Sequence, residues 1–443
     1  MQPLLNDNAT DAGPLAAVLE VAEAELAHAD AWITNRAAVL GILLVILALI
    51  FRTSSRETGG WKKFYGIVPS ILLCYFIPGL LSTFGIIGDP SGDLYFVASR
   101  FLLPTCLVLL CLAIDLPGIA KLGPKLLIIF FTATAGIILG GPFAVWVVGL
   151  FDPASVAGEG ANETWRGLST VAGSWIGGGA NMTAMKEVFG PSKELFSAMI
   201  TVDVIVANIW MGFMLWMAGR SGMFDRWLKA DMTAMDDLQR RVETLYAGKA
   251  RIPSTADLMT ICAVGFAVTG GAFLAAEAIA PWFEANVPWG ARFSLTSMFF
   301  WLIVIATTAG LILSAIPAAR NLEHVGASRI ASVFLYILVA VIGMEMDLTA
   351  IADYPMLFVV GLIWMAFQGI LLFSVAKFIK APSFFIAVGS QANIGGAASA
   401  PIVAAAFNPR LAPVGVLLAV LGYAVGTYGA WLCANLMREV TVG

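Results

Sequence analysis

Two short glycine-rich blocks carry the residue types that could bind an ion or a polar solute. They cover residues 173–184 and 389–399, and each interrupts an otherwise apolar stretch. Breaking a helix at membrane depth leaves backbone N–H and C=O groups unpaired, which is costly unless protein, ion, ligand or water satisfies them. Such breaks are therefore expected to face a cavity, where free N–H groups suit an anion and unwound carbonyls suit a cation.

Hydroxyl and amide side chains beside the breaks add hard oxygen donors that suit an alkali cation, and amides that can fix a polar solute. The predicted substrate-binding residues are Ser174, Gly177, Gly178, Gly179, Asn181, Thr183, Ser390, Gln391, Asn393, Gly395, Gly396 and Ser399. The alternative is that these small residues only pack helices closely, as they do in many membrane proteins. Two related blocks in one chain favour a binding site.

Asp203 is a carboxylate in the middle of the apolar stretch 194–218. At mid-bilayer a carboxylate costs roughly 3 kcal/mol or more, so it normally faces a polar interior and marks an ion or proton path. Thr201 and Asn208 share its helix, and the three are the predicted ion-coupling residues, with sodium as a candidate ion. The alternatives are an acid held neutral by a nearby hydroxyl, or a span boundary that leaves Asp203 shallower.

The overall composition requires a membrane to cover the apolar surface. The 443 residues are 59% hydrophobic and 12% charged, with a mean hydropathy of +0.87, which predicts an all-α polytopic membrane protein. The net charge of −4 gives no support for nucleic-acid binding. The five cysteines lack ligand-like spacing and are predicted to be buried structural thiols, so no metal beyond sodium and no cofactor is expected.

Ten apolar runs are predicted to be spans, and two hairpins are expected at the glycine blocks. The loop 219–251 contains seven bases and is predicted to be cytoplasmic, which requires the first glycine block to return rather than cross. Both termini are then outside, in a bacterial-type inner membrane. The predicted spans are residues 33–51, 64–87, 95–114, 125–151, 195–218, 258–283, 295–316, 330–343, 355–379 and 414–436.

An internal repeat relates the two blocks. A shift of 218 positions superimposes Ile176, Gly177, Gly178, Ala180, Phe189 and Pro191 on Ile394, Gly395, Gly396, Ala398, Phe407 and Pro409. Residues 115–120 recur as 347–352, on the opposite side by the charge rule, which predicts two inverted repeats of five spans plus a broken element each. Chance matching of common residues is the alternative. The predicted divisions are an extracytoplasmic segment 1–32, a first repeat 33–218, a cytoplasmic loop 219–253, a second repeat 254–438 and a tail 439–443.

These blocks resemble those of the DUF819 family of integral membrane proteins. The resemblance is carried by Ile176-Gly-Gly-Gly-Ala-Asn181, by Gly389-Ser-Gln-Ala-Asn-Ile-Gly-Gly396 and by the paired Asp-Leu turns. More distantly the chain is similar to the glutamate:sodium and bile-acid:sodium symporters. That similarity implies a sodium- or proton-coupled secondary transporter that works by an elevator-like movement. The glutamate group has a glycine-glycine-x-glycine vertex, which this chain matches only in the leading glycine pair, so the substrate is not carried over.

We therefore expect a cation-coupled symporter of a small polar or anionic organic solute, moved by the two hairpins and the spans that follow them. The other spans would form a scaffold and a candidate homodimer contact in the lipid bilayer. A channel is the alternative, although no repeated filter motif is apparent. An intramembrane enzyme is less favoured, because the Gly-x-Ser-Gly sequence at Gly219 lies at a loop start and no predicted span contains a histidine.

Overall fold

The computed structural model describes residues 31–56, 60–65, 68, 70–89, 91–235, 237–238, 240, 252–346 and 354–442. Most of the predicted N-terminal segment, the second copy of the Asp-Leu block at 347–352, and the loop residues 241–251 lie outside these ranges. Within them the chain is helical, and its only strand-like feature is a single bridge between Ile33 and Ile87.

Thirteen long helices organise the described part of the chain. They are α1 (Arg36–Ser54), α2 (Ser70–Thr83), α3 (Asp93–Leu112), α4 (Pro124–Gly149), α5 (Thr164–Phe189), α6 (Lys193–Ala218), α7 (Thr255–Asn286), α8 (Met298–Ser314), α9 (Ala327–Met344), α10 (Pro355–Phe378), α11 (Ser383–Ile394), α12 (Gly396–Phe407) and α13 (Ala412–Val442). Eight of them, α1, α3, α4, α6, α7, α9, α10 and α13, are long and apolar enough to cross a membrane. Their number indicates an integral membrane protein.

Two of the predicted spans are shorter as helices than the hydropathy pattern suggested. The run at 64–87 contributes α2, which has 14 residues. The run at 295–316 contributes α8, after which the chain bends by 99° into Pro317–Val325. In α3, one π turn covers Ala98–Leu102, and such turns are frequent at functional sites.

Local sequence signals fix several helix starts. Asn35 caps α1 by accepting from the backbone N of Ala37 and Ala38. Ser192 caps α6, and Ser254 begins α7 with a capping box to Asp257. These side chains satisfy N–H groups that have no partner within the helix, so each start is set locally by the residue at the cap.

The helices form two bundles. The hairpin bundle contains α4, α5, α6 and α10–α13, which pack on one another. The second bundle contains α1–α3 and α7–α9, and the main contacts between the bundles join α5 and α13 to α3 and α8. The fourth and ninth predicted spans, which we expected in the scaffold, form α4 and α10, and these helices pack together and against the hairpin helices. Which helices form the scaffold stays a prediction.

A face of small residues lets α13 approach the hairpins closely. Gly415, Gly422, Gly426 and Gly429 are spaced so that they share one side of the helix. A methyl group at Gly426 would lie 2.7 Å from Cα of Gly177, and one at Gly422 would lie 2.9 Å from the carbonyl oxygen of Ile176. Larger residues at these positions would push α13 away from the glycine blocks.

Candidate functional site

The first glycine block forms a closed hairpin, which we call hairpin 1 (Thr164–Phe189). The helix is interrupted at Gly178, whose φ of 74° and ψ of −174° suit only glycine. The two ends lie together, since Nη1 of Arg166 donates to the carbonyl oxygen of Phe189 over 2.7 Å and the rings of Trp165 and Phe189 are 5.4 Å apart. The segment therefore returns to the level at which it begins.

The second glycine block forms hairpin 2, which consists of α11, Gly395 and α12. Its ends also meet, because the rings of Phe384 and Phe407 are 5.5 Å apart. Near its tip, Nε2 of Gln391 donates to Oγ of Ser399 over 2.8 Å. A side chain at Gly395 would collide with both of these groups. Glycine is required there so that the bond can form across the tip.

The tips of both hairpins lie against one aromatic residue, Tyr423. Gly396 has a φ of 56°, which is positive like that of Gly178, the residue that it matches at the predicted shift of 218. A methyl group at Gly178 would lie 3.4 Å from Cε1 of Tyr423, and one at Gly396 would lie 3.9 Å from its hydroxyl. The two breaks therefore meet inside the hairpin bundle.

Asn181 uses every polar atom of its amide to hold hairpin 1 in place. Its Nδ2 donates to the carbonyl oxygens of Gly177 at 3.0 Å and Tyr423 at 3.1 Å. Its Oδ1 accepts from Oγ1 of Thr427 at 2.6 Å. The amide is buried, both of its N–H donors are used, and its Oδ1 already accepts one bond, so it has no free donor for a ligand in this arrangement.

Asn393 does the same for hairpin 2. Its Oδ1 accepts from Oγ1 of Thr134 at 2.9 Å, and its Nδ2 donates to the carbonyl oxygens of Phe130 at 3.3 Å and Gly389 at 3.1 Å. These bonds tie the hairpin to α4. The predicted binding roles of the two asparagines remain predictions, while the structure gives both a clear structural role.

Asp203 contacts hairpin 1 directly. The residue is only 8% exposed; Oδ2 accepts from Oγ of Ser174 over 2.8 Å, and Oδ1 makes no complete hydrogen bond among the described residues. The indole N–H of Trp175 approaches the carboxyl without completing a hydrogen bond, and the buried hydroxyl of Tyr75 likewise makes no complete bond. Tyr75 lies within electrostatic range of Asp203 and beside Thr183. Thus a group of unsatisfied polar atoms lies between α6, hairpin 1 and α2.

The other two predicted ion-coupling residues bond within their own helix. Oγ1 of Thr201 donates to the carbonyl oxygen of Ser197 at 3.3 Å, and Nδ2 of Asn208 donates to that of Val204 at 2.7 Å. By helical spacing, Thr201 and Asn208 share a face roughly opposite that of Asp203. The structure brings Ser174 to Asp203 instead, and the coupling role of the other two remains a prediction.

The remaining predicted residues surround the hairpin tips. Oγ of Ser390 accepts from Nε1 of Trp210 at 3.1 Å. Oγ1 of Thr183 donates to the carbonyl oxygen of Gly179 at 3.0 Å, and Gly179 faces α2. Oε1 of Gln391 is buried with no partner in the described part of the chain. Gln391 and Asp203 are therefore the predicted residues whose acceptor atoms are free for a ligand.

A buried charge cluster near the end of hairpin 1 was not predicted as a unit. Glu187, 7% exposed, pairs with Arg100 at 2.8 Å and accepts a bond from the hydroxyl of Tyr95. Nζ of Lys186 donates to the same hydroxyl at 2.6 Å. The partners of Lys186 and Glu187 lie far away in sequence, so no local pattern identifies this cluster.

Gln368 in α10 is a second buried group without partners. Both of its side-chain polar atoms are unpaired within the described structure, and its side chain packs against Gly136 of α4. Across the described ranges, no three His, Cys, Asp or Glu residues are placed to hold a metal ion, and the five cysteines are free thiols. The unsatisfied chemistry of the site is thus made of carboxyl, amide and hydroxyl groups.

The family comparison agrees with the sequence motifs over most of the chain. Residues 41–440 match the family described as "Protein of unknown function (DUF819)". A search of curated proteins found no match. The match spans both hairpins and both bundles, so the whole architecture belongs to the family, but the description assigns no activity to it.

Proposed function

Since the chain belongs to the DUF819 family, whose function is unknown, its activity must be inferred from its own geometry, and we propose that it is a cation-coupled secondary transporter. Its solute would be a small polar or anionic organic molecule. The coupling cation would be sodium or a proton. The main observation that supports this proposal is that the interrupted helices of both hairpins meet at Tyr423.

Interrupted helices support transport because they bring backbone groups to an interior site. The helix ends at Gly178 and Gly396 present N–H and C=O groups that are not committed to a continuous helix. The N-terminal end of α12 carries a partial positive charge, which suits an anionic group of the solute. Oε1 of Gln391, buried without a partner, lies on the same hairpin and would accept from a donor on the solute.

The division into two bundles supports an elevator-type movement. The hairpin bundle would carry the site, and the second bundle would remain fixed in the membrane, with the exposed helices α1 and α7 available to lipid and to a second copy of the chain. Polar contacts at the boundary would be exchanged during the movement. They include Glu187–Arg100 at 2.8 Å and Lys193–Glu345 at 2.7 Å. The two halves would be inverted repeats, as the sequence pattern predicts.

Uptake into proteoliposomes tests the proposal. The reconstituted protein would be offered radiolabelled small organic anions, amino acids and polar neutral solutes, under an inward sodium gradient, an inward proton gradient, or neither. We expect saturable accumulation of one solute class with one of the gradients. A second measurement is counterflow, in which preloaded unlabelled solute drives labelled solute inward, as an alternating carrier does.

Two glycine variants test whether uptake depends on the hairpin tips. Gly178→Ala places a side chain at a left-handed position and is expected to abolish uptake. Gly212→Ala is the matched control, since Gly212 lies in α6 of the same bundle with nothing within 4 Å of a new methyl group. Steady conductance without saturation or counterflow would contradict the carrier and favour a channel. Equal uptake by both variants would show that the hairpin tips are not part of the transport path.

A further inference from the structure

We propose that Asp203 is a proton-binding group and that its proton controls the contact between hairpin 1 and the second bundle. This inference deepens the proposed function and rests on it, because it names the proton as the coupling ion. Its geometric basis is the carboxyl group described above. One oxygen is bonded to Ser174 at 2.8 Å, and the other oxygen is buried without a partner in the described part of the chain.

The surroundings of Asp203 suit a neutral acid better than a carboxylate. None of the ion pairs formed by the described residues includes Asp203. A buried carboxylate without a counter-charge is strongly unfavourable, whereas the protonated form avoids most of that cost. In the protonated form Oδ1 carries the proton and Oδ2 still accepts from Ser174, so the observed bond is kept. The proton comes from bulk water and returns there, with no other chemical change.

Few titratable groups face Asp203 from the elements around it. Hairpin 2 contains no charged residue, and Lys377, the only one in α10, is in the last turn of that helix. On hairpin 1, Lys186 and Glu187 are engaged with Tyr95 and Arg100. The α2 helix contributes the phenol of Tyr75, which lies within electrostatic range.

Other titratable groups are at the ends of α6 or beyond it. Lys193, in the first turn, pairs with Glu345 at 2.7 Å, and the adjacent Glu194 is exposed. Asp225 and Arg226 lie in the short helix Ser221–Leu228 that follows α6, and Oδ1 of Asp225 accepts from the backbone N of Ser383 at 2.7 Å. Protonation of Asp203 is therefore governed by its own burial and by the hydroxyl of Ser174 and the indole N–H of Trp175 beside it.

Loss of the proton from Asp203 would change the contact between the hairpin bundle and the second bundle. A charged Asp203 attracts nearby unpaired donors, and the hydroxyl of Tyr75 belongs to the second bundle. The protonated acid has no such attraction, so the hairpin bundle is freer to move. Ser174 precedes the break at Gly178 by four residues. The carboxyl of Asp203, which is bonded to Ser174, therefore also affects the tip of hairpin 1. Proton binding and movement are thereby linked through one residue.

Infrared spectroscopy tests the proton site without a known solute. Attenuated-total-reflection spectra of the reconstituted full-length protein would be recorded during a pH titration, with and without sodium chloride. We expect a C=O stretching band of a protonated carboxylic acid at neutral pH in the wild type. The band should be lost in Asp203→Asn and kept in the matched control Glu194→Gln, which removes an exposed carboxyl from the first turn of the same helix. Ser174→Ala keeps the carboxyl, so the band should persist at a shifted frequency.

The outcomes separate this inference from the proposed function. An Asp203→Asn spectrum identical to that of the wild type would overturn the proton site, as would a Ser174→Ala band at the wild-type frequency. Disappearance of the band on adding sodium at constant pH would assign the site to sodium instead. If the band behaves as expected but the wild type transports nothing in the uptake screen, the proton site stands and the transporter proposal fails.

Discussion

Glu187 near the end of hairpin 1 pairs with Arg100 in the π turn of α3, with 2.8 Å between Oε2 and Nη1. The two residues belong to different bundles, so this contact ties the hairpin to the helices that are proposed to stay fixed. Arg100 also lies 4.4 Å from the ring centroid of Phe299 in α8. The guanidinium is thus held by a carboxylate on one side and an aromatic face on another, which orients it for the pair.

Removing one partner of this pair is expected to destabilise the protein. Glu187→Gln leaves Arg100 without its counter-charge. The loss for a fully buried pair is about 3–5 kcal/mol, and it is expected to be smaller here because the Arg100 side chain is 30% exposed. Thermal unfolding of purified variants measures the change. Arg100→Gln combined with Glu187→Gln should recover part of the loss, and a strictly additive double variant would contradict the direct pairing.

The positive φ angles of the glycines at the two tips predict that alanine is destabilising at both. A residue held in such a sparsely populated backbone region costs about 1–3 kcal/mol, so Gly178→Ala and Gly396→Ala should each lower the melting temperature. Gly212→Ala should leave it unchanged or raise it slightly, because that glycine is helical and unobstructed. Parallel melting curves of the three variants provide the measurement. If alanine at either tip left the melting temperature unchanged, the break in that helix would not depend on its glycine.

The polar side chains of the hairpins separate into structural and free groups, and the two classes predict different phenotypes. Asn181→Ala leaves Thr427 and two carbonyl oxygens without their partner, at about 1–3 kcal/mol for each buried group left unsatisfied, so it should mainly lower stability. Gln391→Ala loses one bond, to Ser399, and should mainly lower uptake. Comparing melting temperature with initial uptake rate distinguishes them. A stable Asn181→Ala protein that cannot transport would reassign Asn181 to the solute.

An ion pair fastens the start of the charged loop to α4. Lys125 donates to Asp231 at 2.7 Å, and this bond, with a smaller contribution from Thr233, lowers the pKa of Asp231 from 3.8 to about 2. Because the folded pKa is depressed, the stabilisation is present above the unfolded value and is lost as the pH falls through about 2. The pair is therefore formed at neutral pH.

Asp231→Asn is expected to speed tryptic cleavage after Arg226 or Lys229 at neutral pH. Asp237→Asn is the control, because its partner Arg240 lies three residues away on the same segment. The difference between the variants should shrink in high salt, since exposed charges are screened. Equal cleavage rates at low salt would show that the pair does not hold the loop.

The sequence predicted the helices well where one physical requirement acts on neighbouring residues. Each predicted span contains a helix, because an apolar run at membrane depth must satisfy its own backbone. The breaks at Gly178 and Gly396 could be predicted for the same reason, and both residues of this predicted pair have positive φ; the repeat itself stays a prediction. Their return as hairpins was favoured by loop charge, and the contact of Arg166 with Phe189 supports it.

Tertiary structure alone decided which polar groups are satisfied. Asn181 and Asp203 look equally functional in the sequence, yet every polar atom of the first has a partner in hairpin 1 or α13 and the second keeps an oxygen without one. Glu187 and Arg100 are 87 positions apart, so no local pattern could pair them. Composition and periodicity determine where a helix forms or breaks because those forces act within a few residues. The partners of a buried polar atom come from distant parts of the chain, and only the packed fold specifies them.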